Sequence, residues 1–162
     1  MLAQPEVAMW STRKKLLRVV QLALATIGRC DAAGVALLGR LGADGEVCTG
    51  AAAYQLDQAQ QLAGRGPCFD AIASLRVFIV ESIADASAWP EFRAAAATHG
   101  IRSCLSVPLA TRGVAIGGLN LYSKSVNGFD GCERVAATFA ARVAVVLSPP
   151  EARNAFQSSA RR

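Results

Sequence analysis

The chain has one histidine, His99, and five cysteines, no two of which form a Cys-x-x-Cys pair. Protein zinc is held by four Cys, His or carboxylate ligands, often set in close pairs, so a tetrahedral metal site is nearly excluded. An odd number of dispersed cysteines also argues against a secreted disulfide framework. Reduced thiols and a cytoplasmic location are expected instead. No apolar run approaches the roughly 18 residues that a membrane span requires, so no membrane partner is expected. Arg13-Lys14-Lys15 followed by LLRVVQLALATIG and Cys30 imitates a lipoprotein leader. Arg18 and Gln21 interrupt its apolar run, however, and Arg29 occupies the position before the cysteine that needs a small residue, so an amphipathic helix is the better reading.

Among its 162 residues, 52% are hydrophobic and 18% charged, which suits one globular domain with a real core. The domain is expected over residues 13–148, between a flexible N-terminus (1–12) and a flexible C-terminal tail (149–162). The net charge of +5 is confined to the ends: from Arg29 to Arg142 ten basic residues face ten acidic ones. Nucleic-acid affinity requires clustered cations with aromatics or a docking motif. The body offers neither, so direct nucleic-acid binding by it is not expected.

Two apolar runs, Ser103 to Leu109 and Ala115 to Tyr122, flank Thr111-Arg112-Gly113 and predict a β-hairpin. Strand side chains alternate faces. Leu105, Val107, Leu109, Leu119 and Leu121 therefore share one side, and Cys104, Ser106, Pro108, Gly118, Asn120 and Tyr122 share the other, smaller and more polar side, where a ligand would sit.

Before this hairpin, three- and four-residue apolar spacing predicts a helix from Ser11 or Thr12 to Ile27, stopped by Gly28. A second hairpin is expected from Gly34 to Leu41 and Glu46 to Tyr54, turning at residues 42–45. Short helices are expected over Leu56 to Leu62, Pro67 to Leu75 and Phe92 to Thr98, with a strand at Val77 to Val80. After the central hairpin, Asp130-Gly131-Cys132-Glu133 suggests a capping box on a helix reaching Leu147. That helix shows a large apolar stripe (Val135, Phe139, Val143, Val146) and a small one (Ala137, Ala140, Ala141, Ala144), the latter suited to close approach of the first helix. The order implies an α+β fold with a largely antiparallel sheet and the terminal helices on one face.

Gly66-Pro67-Cys68 with Asp70, Asp85 with Trp89-Pro90, Arg102-Ser103 leading into Val107-Pro108-Leu109, and Gly117-Gly118-Leu119-Asn120-Leu121-Tyr122 occur in an order that resembles a GAF domain. The likeness is greatest to the actinobacterial kind often fused to an ANTAR RNA-binding domain. The resemblance implies a GAF-like, PAS-related sheet of about six antiparallel strands, short helices and loops roofing a pocket, a homodimer through the terminal helices, and sensing in place of catalysis. Only Glu151 to Arg162 follow the long helix, so the ANTAR part has no residues here and RNA binding is not carried over.

Candidate ligand-binding residues are Cys68, Asp70, Trp89, Phe92, Cys104, Ser106, Asn120 and Tyr122. Cys68 stands in the first turn of a predicted helix, where the dipole can lower a thiol pKa, as against a packed small residue of the pocket wall. Gly64-Arg65-Gly66-Pro67-Cys68 partly resembles the reactive turn of GAF-type free methionine sulfoxide reductases, although Glu91 to Arg102 has no second cysteine. Trp89 and Phe92 offer stacking surfaces or plain core anchors. Asp70 can stabilise its helix dipole. His99 resembles the haem ligand of some GAF sensors, but directly before Gly100 it reads as a helix C-cap. The cyclic-nucleotide set of some GAF domains has no convincing counterpart, so cyclic-nucleotide binding stays open but unsupported, and the cofactor is unknown. The leading expectation is a small-molecule or redox sensor acting on a partner signalling or transcription protein. A Cys68-dependent reductase and a ligand-free structural dimerisation module are the alternatives.

Overall fold

A computed structural model of the protein describes residues 5–39 and 46–148. Its elements are α1 (Pro5–Thr26), β1 (Ala32–Leu37), β2 (Glu46–Cys48), α2 (Gly50–Ala63), α3 (Pro67–Ser74), β3 (Phe78–Val80), α4 (Pro90–Thr98), β4 (Ser103–Thr111), β5 (Val114–Ser123) and α5 (Glu133–Leu147). Five strands form one sheet in the order β2-β1-β5-β4-β3, every pairing antiparallel. About six strands were expected; five are present among the described residues.

The β4–β5 hairpin lies at the centre. It turns at Arg112 and Gly113, both with positive φ (52° and 74°), as a two-residue turn between twisted strands requires. Its alternation sorts as the sequence implies: Leu105, Val107, Leu109, Leu119 and Leu121 are buried with Leu16, Val20, Ala23 and Ile27 of α1 and Ala136, Ala140, Val143 and Ala144 of α5. Both end helices therefore cover one face of the sheet, and α2, α3 and α4 cover the other.

Several expectations are corrected. The run from Glu46 to Tyr54 is a strand only to Cys48. Gly50, with φ of 80°, turns the chain, and the strong helix former alanine at positions 51–53 starts α2 six residues before Leu56. Helix α1 begins at Pro5, so residues 5–12 are helical where a loose lead was expected. The 42–45 turn and the 149–162 tail lie outside the described residues. On α5 the buried stripe is Ala136, Ala140, Val143 and Ala144, while Val135 and Val146 are exposed. The small residues seat the helix on the sheet, chiefly on β4, and leave part of the large stripe in solvent. No side-chain capping box forms, because Cys132 itself is the N-cap and makes no side-chain cap bond.

Candidate functional site

The face under α2–α4 divides into a filled half and a hollow half. In the filled half Phe92, Ile83, Leu56, Cys104 and Tyr122 pack together, with the rings of Phe92 and Tyr122 6.2 Å apart. Trp89 meets Phe92 edge-on at 6.5 Å and donates its indole N–H to Asp70 Oδ2 at 3.0 Å. This bond ties α3 to the start of α4 and holds Trp89 in the left-handed conformation (φ 55°), unfavourable for a side chain by about 1–2 kcal/mol. His99 is the C-cap of α4, its N–H bonded to Ala95 O.

The hollow half is a cavity of about 670 Å³ between α2, α3 and the β1–β5 pair, walled by Leu37, Leu62, Phe69, Ile72, Glu46, Asp57, Gln60, Cys68, Gly118 and Asn120 among others. Ala36 and Gly118 form part of its sheet side, and glycines on β1 and β5 let α2 and α3 approach closely. A Cβ at Gly34 would lie 1.9 Å from Asp57 Oδ2, and one at Gly118 would lie 2.5 Å from Cys68 Sγ, so larger side chains there would displace α2 and α3.

At the floor of the cavity Asp57 gathers a buried polar network. Its Oδ1 accepts from Asn120 Nδ2 at 3.0 Å and, in a shorter bond, from the Tyr122 hydroxyl. Its Oδ2 accepts from the Cys48 thiol at 3.4 Å. Ser106 donates to Asn120 Oδ1 at 2.8 Å. Gln60 donates to the Tyr122 oxygen at 3.2 Å and, through its own carbonyl, accepts the Cys68 backbone N–H at 2.9 Å. Burial disfavours the charged carboxylate and pushes Asp57 up to about 6, against the pull of its donors Tyr122, Cys48 and Asn120, with the Glu46 charge adding to the rise. Burial likewise raises Glu46, whose donor is Gln61, and carries the Tyr122 hydroxyl well above its usual value.

Of the residues proposed from the sequence, Cys68 and Asn120 line the cavity, while Ser106 and Tyr122 join it through the Asp57 network. Phe92 and Cys104 are core, and Asp70 and Trp89 form the clamp between helices. Cys68 does not become an activated thiol. It is 8% exposed, and burial, followed by the nearby Asp57 charge, pushes it up to about 12; its place on the first turn of α3 does not offset this. Cys104 is raised by burial too. Sequence reasoning missed Asp57, Gln60, Cys48 and Glu46. The available signal was two polar residues, Asp57 and Gln60, on the α2 face that also buries Ala53 and Leu56. A helix started at Leu56 shows too few turns to reveal that face. Among the described residues no three His, Cys, Asp or Glu side chains come together to hold a metal ion, and no helix is long and apolar enough to cross a membrane.

A family model for the GAF domain matches residues 11–148. The chain belongs to the GAF domain family. Solved structures share the fold: a domain from a Sinorhizobium meliloti 1021 protein described as a two-component sensor histidine kinase (TM-score 0.63, 20% identity, 97% of this chain and 99% of that one); the GAF domain region of a protein from Geobacter sulfurreducens PCA (0.65, 18%, 88% and 96%); and the type II free methionine-R-sulfoxide reductase of Thermoplasma acidophilum (0.59, 14%, 86% and 93%). No curated protein matches the chain.

Proposed function

We propose that this GAF domain is a non-catalytic sensor whose cavity under α2 and α3 binds a small organic molecule. The reading is carried by the coincidence of a 670 Å³ space with a buried, fully hydrogen-bonded polar floor. Ligand sites of about 300–1,000 Å³ are mostly apolar with a few placed polar groups. Strands β1 and β5 touch the cavity on one side and the α1–α5 layer on the other, so an occupant that shifts them is felt at the end helices. Exposed Leu17 and Leu22 on α1, and Val135, Val145 and Val146 on α5, supply an apolar outer surface for a second copy or a signalling partner. The kinase origin of one structural relative accords with a regulatory role.

The reductase reading has the Thermoplasma fold likeness in its favour and the buried, high-pKa Cys68 against it, since the thiolate is the nucleophile. Hydrogen exchange with and without a metabolite extract of the host tests the sensor. Slower exchange in α2 and α3 together with a change in α1 or α5 is the expected result. Unchanged exchange throughout, or Cys68-dependent reduction of free methionine sulfoxide, would reject it.

A further inference from the structure

The charged side chains on the cavity wall are of one sign. Among the described lining residues only Glu46 and Asp57 carry charge, and both are carboxylates. Among the described residues every hydrogen-bond donor that meets them is neutral: Asn120, Tyr122 and Cys48 at Asp57, Gln61 at Glu46. Asp57 is 4% exposed, and a buried ion without a counter-ion costs several kcal/mol. The rest of the described wall is uncharged: Gln58, Gln60, Gln61 and Asn120 are polar, and Leu37, Leu38, Leu62, Phe69 and Ile72 are apolar.

The backbone does not decide the sign. The last turns of α2, at Gln60, Gln61 and Leu62, lie on the wall, and a helix C-terminus favours positive charge, but the Gln60 and Gln61 carbonyls already accept the N–H groups of Arg65 and Gly64. At the start of α3 the Cys68 N–H is likewise taken by Gln60 Oε1. An anionic guest would meet two like charges, and a neutral one would leave Asp57 without a counter-ion among the described residues.

We propose that the ligand is an organic cation, an amine or amidine on an apolar body, with its charged end at Asp57 and Glu46 and its body along Leu62, Phe69 and Ile72. This assignment rests on reading the cavity as the ligand site, and it deepens that reading from any small molecule to one charge class.

Calorimetric titration of the full chain at pH 7.5 with 4-phenylbutylamine, 4-phenylbutan-1-ol and 5-phenylpentanoate tests it, because the three differ chiefly in the head group. The amine should bind at least tenfold more tightly than the alcohol, the carboxylate least. Asp57→Asn should bring amine affinity down to that of the alcohol, and Glu46→Gln, at a half-buried site, should cost part of it. Ala36→Phe, which fills the cavity, should abolish binding of all three. Arg40 follows Gly39 of the wall in sequence, so Arg40→Ala is measured alongside. An alcohol within threefold of the amine, a preferred carboxylate, or an amine preference that emerges only in Arg40→Ala would overturn the charge class and leave the pocket standing, provided Ala36→Phe abolishes that binding. Failure of every probe to bind wild type and Arg40→Ala, or binding untouched by Ala36→Phe, would overturn both.

Discussion

The two faces of the sheet share its central strand, β5, and reach opposite ends. Toward α1 and α5, leucines and a valine from β4 and β5 meet Leu16, Val20, Ile27 and the alanines of α5 in one buried cluster. Toward α2 and α3, β1 and β5 present Ala36, Gly118 and Asn120, and a cavity remains. The difference teaches that side-chain size on alternate positions decides which face of a strand pair becomes structure and which becomes a site. The filled half under α4 sharpens the point: Tyr122, two residues from Asn120 on the same face, is large enough to close its end against Phe92.

The largest expected effect separates the faces. Leu119→Ala, on the packed side, should lower stability by about 2–5 kcal/mol, the usual cost of truncating a fully buried leucine; Ala36→Leu, into open space, should cost little and still hinder ligand entry. Urea unfolding of both checks this, and equal losses would erase the contrast.

Next comes pH. Asp57 holds its proton up to about 6 when folded, whereas an unfolded aspartate loses it near 4. Between these values the folded state binds more protons, so stability falls as pH rises and then levels off above about 6. The shift corresponds to about 3 kcal/mol. Asp57→Asn should remove that slope, so its stability relative to wild type grows between pH 4 and 7.5. Parallel profiles would show that the carboxyl is not buried uncharged.

Gly118→Ala should cost about 1–3 kcal/mol by overpacking, because its Cβ meets Cys68 Sγ at 2.5 Å. Adding Cys68→Ala should recover part of the loss, a coupling that a double-mutant cycle measures. Additive losses would mean that α3 does not press on β5 there. Trp89→Phe, which deletes the bond to Asp70, should cost about 1 kcal/mol and leave binding intact, since the clamp belongs to the filled half.

The hairpin, its faces and the placement of the end helices were legible because period-two alternation is clear over Ser103–Leu109 and again over Gly118–Tyr122, on either side of the turn and of the register shift at Leu109 and Ala110. The start of α2 was not, because Ala51, Ala52 and Ala53 follow a true strand without a polar break and only Gly50 marks the change. The buried face of α5 was misjudged because an alanine stripe can seat a helix on a sheet as well as against another helix. The site itself was half visible. Asn120, Ser106, Tyr122 and Cys68 stand on recognisable elements, but Asp57 acquires its role from partners 63 and 65 residues away, and no local pattern announces a contact of that range.

Native mass spectrometry of the protein after incubation with a metabolite extract of its host, beside the Ala36→Phe variant, tests the hollow face most directly. The account predicts a non-covalent small-molecule adduct on the wild type and bare protein for the variant. Bare protein in both, or the same adduct in both, would contradict it.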